Sequence, residues 1–267
     1  MNMQSATSMQ ISVIIPAYNE ARRLPATLEK VEQYFNERQV RAEVLIVDDG
    51  SKDATPELAR AFAARPHRPG LEFRLLQNPG NRGKGYSVRH GMLAARGELR
   101  LFSDADLSAP IEEIEKLEAA LTQGADVAIG SRARSELIRA HQSRFRETAG
   151  RFFNLIVKTL LGLPFHDTQC GFKLFRAEAA ECIFPAQTIE RWGFDPELLF
   201  LARVGGLRVV EIPVVWAHAE GAKINMLTDS ARMFLDVFQI RWNSLVGRYR
   251  ATASEDDRMK STANASR

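Results

Sequence analysis

Two carboxylates separated by one residue are the pair in this sequence best suited to chemistry. Asp104 and Asp106 follow directly after the predicted buried strand Glu98–Phe102. Carboxylate oxygens are preferred ligands of Mg²⁺ and Mn²⁺, which commonly share them with phosphates. The pair could instead cap a turn. Its place at a strand end favours a metal site, with Asp104 and Asp106 as ligands on one side of an extended segment.

The glycine-rich segment Asn78–Gly85, with the sequence NPGNRGKG, is a second candidate for phosphate contact. Its spacing fails the GxxxxGK[ST] pattern of P-loop proteins and the GxGxxG pattern of nicotinamide-dependent dehydrogenases, so both classes are disfavoured. Lys84 stands near the start of a predicted helix, where an anionic ligand would be stabilised. The segment could also be no more than a connection.

Three further polar residues follow apolar runs. Asp48 and Asp49 end the run Val44–Val47. The carboxylate of Asp48 can accept hydrogen bonds from a base or a ribose, but both aspartates could equally form a turn that binds its own backbone. Arg132 follows Val127–Ile129, and a guanidinium contacts phosphate bidentately. The aspartates that follow the strands, taken together with Arg132, predict a phosphate group held between a metal ion and Arg132.

Apolar runs alternate with helical patterns through the first half of the chain. The predicted strands are Ile11–Ile15, Val44–Val47, Leu71–Leu76, Glu98–Phe102 and Val127–Ile129. The predicted helices between them are Leu24–Phe35, Ala54–Ala64, one that ends near Ala95, and Ile111–Leu121. This alternation indicates an α/β fold with a mostly parallel sheet and helices on both faces. Ligands of such sheets bind at the carboxyl ends of the strands, so we expect these polar residues to meet there.

The second half is less regular. It contains the predicted strands Gly171–Phe175 and Leu207–Val215 and the predicted helices Ser143–Leu161, Pro196–Val204 and Leu227–Tyr249. We expect one domain over residues 11–250. Residues 1–10 are expected to be flexible and residues 251–267 to be disordered.

Composition restricts the classes further. In the 267 residues, 36 basic and 33 acidic side chains give a net charge of only +3, which argues against nucleic-acid binding. Cys170 and Cys182 cannot form a metal framework, and we expect two buried thiols in a reducing compartment. No run reaches the roughly 18 apolar residues of a membrane span, and the N-terminus lacks a signal-peptide pattern. We therefore expect a cytoplasmic protein whose membrane contact, if any, is peripheral and on the cytoplasmic face.

Five motifs in fixed order resemble glycosyltransferase family 2, whose members have the GT-A fold. They are IIPAYNE, VDDGSKDAT, NxGKG, DADLSAP and GSR, between Ile14 and Arg132. DTQCGFKLF, WGFDPELL and EIPVVW, between Asp167 and Trp216, resemble the branch that glycosylates polyprenyl phosphates, namely the dolichyl-phosphate β-glucosyltransferases and their prokaryotic relatives. The resemblance extends from Ile11 to about Tyr249. It implies that the domain has a nucleotide-sugar-binding half (11–132) and an acceptor half (133–250).

The resemblance implies a role for each matching position. The nucleotide sugar would contact Pro16, Tyr18, Glu20, Asp48, Asp49, Lys84 and Asp104. Asp104 and Asp106 would hold Mg²⁺ or Mn²⁺ on the diphosphate, and Arg132 would touch phosphate. Related mannosyltransferases often have a glutamine that assists the metal where this chain has Ser108.

The implied reaction is inverting transfer of a hexose to a polyprenyl phosphate of the dolichyl type. UDP-glucose is the favoured donor and GDP-mannose the alternative. Two anions must lie close together, and the candidates that compensate their charge are Arg132, Arg144, Arg151, Lys173 and Lys223. Asp195 could contact sugar hydroxyls, or it could cap the helix that follows it.

Three other functions stay open at this point. A family 2 transferase that acts on a glycan hydroxyl would need a general base, for which Asp195 is the candidate. A nucleotide-sugar-binding regulator without activity is disfavoured by the intact Asp104, Asp106 and Arg132. A nucleotidyltransferase is disfavoured because no arginine-containing glycine-rich loop follows the first strand.

Two predicted helices, Ser143–Leu161 and Leu227–Tyr249, combine an apolar stripe with basic residues. On the second helix the apolar residues are Phe234, Leu235, Phe238, Trp242 and Leu245, and the basic ones are Arg232, Arg241 and Arg248. This pattern is typical of a helix that lies in a membrane interface. The alternative is that both stripes pack against the sheet. The sequence carries no signal for an oligomeric state.

Overall fold

This computed structural model describes residues 9–132, 138–140, 155–217 and 228–249. The strands are β1 (Ile11–Ala17), β2 (Ala42–Asp48), β3 (Leu71–Gln77), β4 (Leu99–Ser103), β5 (Val127–Ser131), β6 (Ile138–Ala140), β7 (Phe172–Arg176), β8 (Val209–Pro213) and β9 (Trp216–Ala217). Seven of them form one sheet in the order β3-β2-β1-β4-β7-β5-β8, and β6 pairs with β9 in a separate parallel ribbon.

Eight helices belong to the described residues. They are α1 (Leu24–Arg38), α2 (Thr55–Ala63), α3 (Lys84–Ala94), α4 (Ile114–Thr122), α5 (155–161), α6 (Ala177–Ile183), α7 (Phe194–Val204) and α8 (Thr228–Leu245). Short 3₁₀ turns cover Ile111–Glu113 and Phe184–Ala186.

The sheet is buried on both faces, which explains its uninterrupted apolar strands. In β2, Val44 and Ile46 join the core beneath α1, α2 and α4, whereas Leu45 and Val47 join the core beneath α3, α6 and α7. Successive side chains of a strand point to opposite faces, so both faces must be apolar when both are covered. The predicted parallel sheet with helices on both faces is confirmed.

Strand β7 departs from the parallel arrangement. It lies between β4 and β5 and is antiparallel to both, whereas every other neighbouring pair of the sheet is parallel. Its first residue, Phe172, is therefore level with Ser103, the last residue of β4. The chain just before β7 consequently reaches the edge of the sheet where the parallel strands end.

Two details differ from the sequence expectation. Cys170 is buried, but Cys182 is exposed, because it lies on the outer side of α6, a helix that the sequence pattern did not indicate. Met9 and Gln10 belong to the fold, since Met9 is buried and the amide of Gln10 donates to the carbonyl of Arg41. Residues 1–8 and the predicted disordered tail lie outside the described residues.

Candidate active site

The candidate site lies where β1, β2, β4 and β5 end and where β7 begins. At its centre, residues 104–107 form a turn closed by a hydrogen bond of 3.1 Å from the amide of Leu107 to the carbonyl of Asp104. Leu107 has φ of +46°, and Oδ1 of Asp106 accepts the amide of Ser108 at 3.0 Å. The segment is thus a turn and not the extended segment expected from the sequence. Thr27 holds the turn by donating to the carbonyl of Ala105 at 2.6 Å.

Two cations border this acidic turn. Nζ of Lys84 lies 2.6 Å from Oδ1 of Asp104, and a guanidinium nitrogen of Arg23 lies 3.8 Å from Oδ2 of Asp106. Burial alone would lower the pKa of the Lys84 ammonium, but the carboxylates of Asp104, Asp195 and Asp106 outweigh burial and raise it. Lys84 therefore stays charged and faces a concentrated negative potential.

Helix α3 carries Lys84 as its first residue, and the chain conformation before it requires glycine. Gly83 has φ of +114°, and its amide donates to Oδ2 of Asp49 at 2.8 Å. Oδ1 of Asp49 accepts the amide of Arg82 at 3.0 Å and the side-chain amide of Asn78 at 2.8 Å. Both oxygens of Asp49 thus hold the glycine-rich segment, so Asp49 contributes to the site by orienting Lys84.

The residues predicted to bind the nucleoside lie beside this segment. Asp48 ends β2 and is buried, and its Oδ1 accepts the amide of Ser51 at 3.2 Å. Pro16 and Tyr18 lie at the end of β1 and are half-buried. Glu20 binds Arg23 bidentately through two hydrogen bonds of 2.7 Å, so its carboxylate fixes one of the cations that border Asp106.

Arg132 follows β5 and is held by a partner that the sequence analysis did not identify. Its guanidinium forms hydrogen bonds of 2.6 and 2.8 Å with the carboxylate of Asp167, and its amide donates to the same carboxylate at 3.0 Å. Burial alone would lower the pKa of Arg132, but Asp167 raises it, and Asp104 is close enough to add to this effect. Burial alone would raise the pKa of Asp167, but Arg132 lowers it to about 2.

Lys173 and Asp195 form a buried ion pair beneath the site. Nζ of Lys173 donates to Asp195 and, at 2.6 Å, to the carbonyl of Cys170. The Lys173 side chain is 0% exposed, so this geometry does not support the predicted direct contact with an acceptor phosphate. Asp195 is also buried. It is the second residue of α7, and its carboxylate is turned to Lys173, not to solvent.

Three predicted cations, Arg144, Arg151 and Lys223, lie outside the described residues. Residues that the sequence analysis missed are Arg23, Asp167, Gly171 and Trp192. Asp167, Gly171 and Trp192 stood within the motifs DTQCGFKLF and WGFDPELL, but a motif alone does not show which residue a side chain contacts. The Trp192 ring lies 5.4 Å from Nζ of Lys84, and the carbonyl of Gly171 accepts the amide of Asp104 at 3.1 Å.

The carboxylate oxygens of Asp104 and Asp106 are suitable ligands for a hard divalent cation that also binds a phosphate. The side chains of Asp104 and Asp106 are 31% and 22% exposed, so both carboxylates are accessible. No group of three or more His, Cys, Asp or Glu side chains able to hold a metal exists among the described residues. The protein would thus provide few oxygen ligands, as is usual for Mg²⁺ on nucleotides.

Comparison with known sequences identifies relatives over nearly the whole chain. The family described as Glycosyl transferase family 2 matches residues 12–184. Dolichyl-phosphate beta-glucosyltransferase from Dictyostelium discoideum is 36% identical over 257 residues, covering 92% of this chain and 78% of the relative. The proteins of the same name from Drosophila melanogaster (38%, covering 93% and 79%) and Homo sapiens (37%, covering 90% and 78%) are similar to the same extent.

Comparison with solved structures identifies the fold. Glucosyl-3-phosphoglycerate synthase from Mycobacterium tuberculosis, crystallised with Mn²⁺, UDP and phosphoglyceric acid, has a TM-score of 0.65 at 19% identity and covers 92% of this chain and 80% of that one. A complex of the same enzyme with Mn²⁺, UDP-glucose and phosphoglyceric acid has a TM-score of 0.63 at 19% identity, covering 92% and 81%. A complex with Mg²⁺ and UDP also has a TM-score of 0.63, at 20% identity, covering 91% and 80%. The GT-A fold expected from the sequence is confirmed.

Proposed function

The chain belongs to glycosyltransferase family 2 and is a glycosyltransferase, and we propose that it transfers glucose from UDP-glucose to a dolichyl-type polyprenyl phosphate. The shared name of the relatives supports the sugar and the acceptor. The UDP-glucose in a structure of the same fold supports the donor. The observation that carries the proposal is the acidic turn of Asp104 and Asp106, bordered by Lys84 and near Arg132, at the carboxyl ends of the strands.

Asp104 and Asp106 would hold Mg²⁺ or Mn²⁺ together with the diphosphate of the donor. When bound, the ion neutralises the charge that develops on the departing UDP. Crystals of glucosyl-3-phosphoglycerate synthase, which has this fold, hold Mn²⁺ or Mg²⁺ with UDP, which supports this assignment. Asp48 at the end of β2 would recognise the nucleoside, since its buried carboxylate can accept hydrogen bonds from ring N–H or hydroxyl groups.

The chemical step would be a single displacement at the anomeric carbon. A phosphate oxygen of the acceptor attacks this carbon from the side opposite the diphosphate, the new C–O bond forms, and the bond to UDP breaks. The electron pair of the broken bond leaves with UDP, and the product is a β-linked glucosyl phosphate. Arg132 and Lys84 would stabilise the two neighbouring anions, because fixed cations in a site of low dielectric act strongly.

The environment of Asp195 favours a phosphate acceptor over a glycan hydroxyl. A hydroxyl acceptor requires a base that removes its proton, and Asp195 was the candidate. Asp195 is buried and bound to the Lys173 ammonium, so it is poorly placed to receive a proton from a substrate. A lipid phosphate is already an anion at neutral pH and needs no such base.

The decisive assay supplies the purified full chain with polyprenyl phosphate, Mg²⁺ or Mn²⁺, and either labelled UDP-glucose or labelled GDP-mannose. We expect label in the lipid fraction from UDP-glucose only, with the β configuration at the anomeric carbon. Asp106→Asn should abolish this transfer while the protein stays folded, and the exposed carboxylate of Glu112, changed to Gln, is the matched control. Transfer that persists in Asp106→Asn or in excess chelator would refute the metal-assisted mechanism.

Helix α8 supports a peripheral position on the membrane. Its inner side packs on the domain through the buried Val237 and Ile240. Its outer side exposes an apolar stripe formed by Phe234, Leu235, Phe238, Trp242 and Leu245. Arg232 and Arg241 of the helix are also exposed, as is Arg248, which follows the end of α8 at Leu245 and the turn at 246–247. The stripe therefore does not pack against the sheet. Apolar burial and about 1 kcal/mol per basic residue at an anionic surface would hold such a helix in the interface.

No helix among the described residues has the length and apolarity that a membrane span requires. Of the other predicted amphipathic helix, Ser143–Leu161, only residues 155–161 are described. We propose contact with the cytoplasmic face of a membrane through the exposed apolar stripe of α8.

Co-sedimentation with anionic vesicles tests the membrane contact. We expect the wild-type protein to sediment at low salt and less at moderate salt, and Phe238→Glu/Trp242→Glu to stay in the supernatant. Leu93→Glu is the matched control, since Leu93 and Phe238 are both 47% exposed but Leu93 lies on α3. Equal sedimentation of the double variant and the wild type would show that α8 is not the membrane-binding element.

A further inference from the structure

Residues 187–193, here called the bridging segment, connect the 3₁₀ turn Phe184–Ala186 to α7. The segment contacts the glycine-rich loop on one side and α8 on the other. On the first side, its carbonyl at Glu190 accepts the amide of Tyr86 at 2.9 Å, and the side-chain amide of Gln187 donates to the carbonyl of Gly85 at 2.9 Å. The bridging segment therefore lies directly against the start of α3, which carries Lys84.

The contact between the two segments is so close that it excludes side chains. A Cβ at Gly83 would lie 2.6 Å from the carbonyl oxygen of Glu190, and one at Gly85 would lie 2.6 Å from that of Ile189. At this position Trp192 places its ring 5.4 Å from the Lys84 ammonium. A cation over an indole ring is stabilised by the ring quadrupole, so Trp192 helps to hold Lys84 at Asp104.

The other side of the bridging segment is bound by hydrogen bonds to α7 and α8, and Tyr249, which follows α8, binds the same residue of α7. The carboxylate of Glu197, fully buried in α7, accepts the amides of Thr188 and Ile189 at 2.9 and 2.8 Å and the hydroxyl of Tyr249 at 2.9 Å. Asn243, a fully buried amide on α8, donates to the hydroxyl of Thr188 at 3.2 Å. Buried polar groups of this kind are retained only where their hydrogen bonds are satisfied.

Asp236 on α8 fixes the end of the segment that carries Trp192. Its carboxylate lies against Gly193, so close that a Cβ at Gly193 would lie 2.2 Å from Oδ2 of Asp236. Burial and the Glu197 carboxylate raise the pKa of Asp236 to about 6, and the adjacent Gly193 amide opposes this rise. The catalytic reaction described above uses neither Asp236 nor Asn243 nor Tyr249. Polar groups on the protein-facing side of a helix with an apolar outer side therefore have a different task.

We propose that Asp236, Asn243 and Tyr249 are positioning residues, which fix the bridging segment so that Trp192 holds Lys84 at Asp104. Helix α8 thus carries the outward apolar stripe on one side and, together with Tyr249 just beyond its end, determines the geometry of the donor site on the other. The positioning role concerns the donor site itself, and only the meaning of the stripe rests on the proposed function.

Asp236→Ala tests the proposal and Asp236→Asn is its conservative counterpart. The alanine variant loses the acceptor for the Gly193 amide, whereas the asparagine side-chain carbonyl retains it. Loss of a group that supports a metal site indirectly typically weakens binding by about tenfold or more. We therefore expect Asp236→Ala to bind UDP-glucose with Mn²⁺ roughly tenfold more weakly, measured by calorimetry. We expect the KM for the donor to rise, the KM for the acceptor to stay unchanged, and Asp236→Asn to restore donor affinity to near the wild-type value.

A second measurement reports the position of Trp192 without substrate. The chain contains three tryptophans, so Trp216→Phe/Trp242→Phe leaves Trp192 as the single fluorophore. In this background Asp236→Ala should increase the quenching of Trp192 by acrylamide, and Asp236→Asn should not. Gln239→Ala is the control on the same helix, because Gln239 is exposed.

The outcomes separate this proposal from the proposed function. Asp236→Ala should leave sedimentation with vesicles unchanged, while Phe238→Glu/Trp242→Glu should leave donor affinity unchanged. If Asp236→Ala does not fold, Tyr249→Phe and Asn243→Ala carry the same expectation. Unchanged donor affinity and unchanged Trp192 quenching in the folded variants would overturn the positioning role, whatever acceptor the enzyme uses.

Discussion

Replacement of Gly171 by alanine should displace the carboxylate of Asp104 without unfolding the protein. A Cβ at position 171 would lie 2.1 Å from Oδ2 and 2.5 Å from Cγ of Asp104, whereas ordinary contacts begin near 3.4 Å. The carboxylate would have to retreat by about 1 Å. The backbones cannot separate easily, because the amide of Asp104 donates to the carbonyl of Gly171. The side chain of Asp104 must therefore rotate out of the position in which it pairs with Lys84.

The expected cost is a loss of metal affinity. Misplacing a metal ligand through its surroundings typically weakens binding by about 10- to 100-fold, or about 1.4 to 2.7 kcal/mol. Titration of Mn²⁺ in the presence of UDP, followed by calorimetry or by the electron paramagnetic resonance signal of free Mn²⁺, measures this directly. Thermal unfolding of the same samples shows whether the fold is intact.

Two variants bracket the result. Gly205→Ala is the matched control, since the nearest atom to its new Cβ would be 3.3 Å away at the end of α7. Asp104→Asn should give the lowest affinity for Mn²⁺ in the series, because it removes the charged ligand itself. If folded Gly171→Ala binds Mn²⁺ within twofold of the wild type, Asp104 is not a ligand in the geometry described here.

Two further predictions concern the residues on either side of the acidic turn. Asp48→Ala should raise the Kd for UDP-glucose roughly tenfold or more, since a hydrogen bond to a charged group contributes about 1.5–3 kcal/mol. The KM for the acceptor should change much less, and an equal loss of affinity for both substrates would contradict the assignment of Asp48 to the nucleoside. For Asp167, a pKa lowered from 3.8 to about 2 means that its pairing with Arg132 stabilises the fold above pH 4 and that this contribution is lost as pH falls through 2. In urea unfolding at pH 6, the free energy of unfolding of Asp167→Asn should thus be about 2 kcal/mol below that of the wild type, and this difference should become smaller between pH 4 and pH 2. A difference in the free energy of unfolding that is independent of pH would contradict the ion pair.

The sequence predicted the donor side of the fold well because its signals are local. Each continuous apolar run became a strand of the sheet, and the polar residues after those runs came together at one edge. Asp48, Lys84, Asp104 and Asp106 could be found in this way, since each follows its strand or loop directly. The parallel arrangement itself then determined that they would be neighbours.

The pairings of the second half could not be predicted in this way, because they join residues distant in sequence. Lys173 alternates with Phe172 and Leu174, so it points to the opposite face of the sheet, where Asp195 meets it. Asp167 reaches Arg132 across 35 residues of chain. No periodicity shows such partners. The prediction that Lys173 contacts the acceptor phosphate follows from the need for cations near two anions, and the sequence does not show that its ammonium is buried against Asp195. Helix α6 was not predicted, because its seven residues are too few to show a helical periodicity.

The antiparallel insertion of β7 also bears on how the protein can be divided. A fragment that ended at residue 132 would contain every strand of the predicted nucleotide-sugar-binding half, yet β4 and β5 would have no strand between them. It would also lack Asp167, the partner of Arg132, and Gly171, whose carbonyl anchors Asp104. The two halves are therefore interleaved and do not form separable modules. Exchanging acceptor halves between relatives would have to retain residues 167–176 with the donor half that they complete.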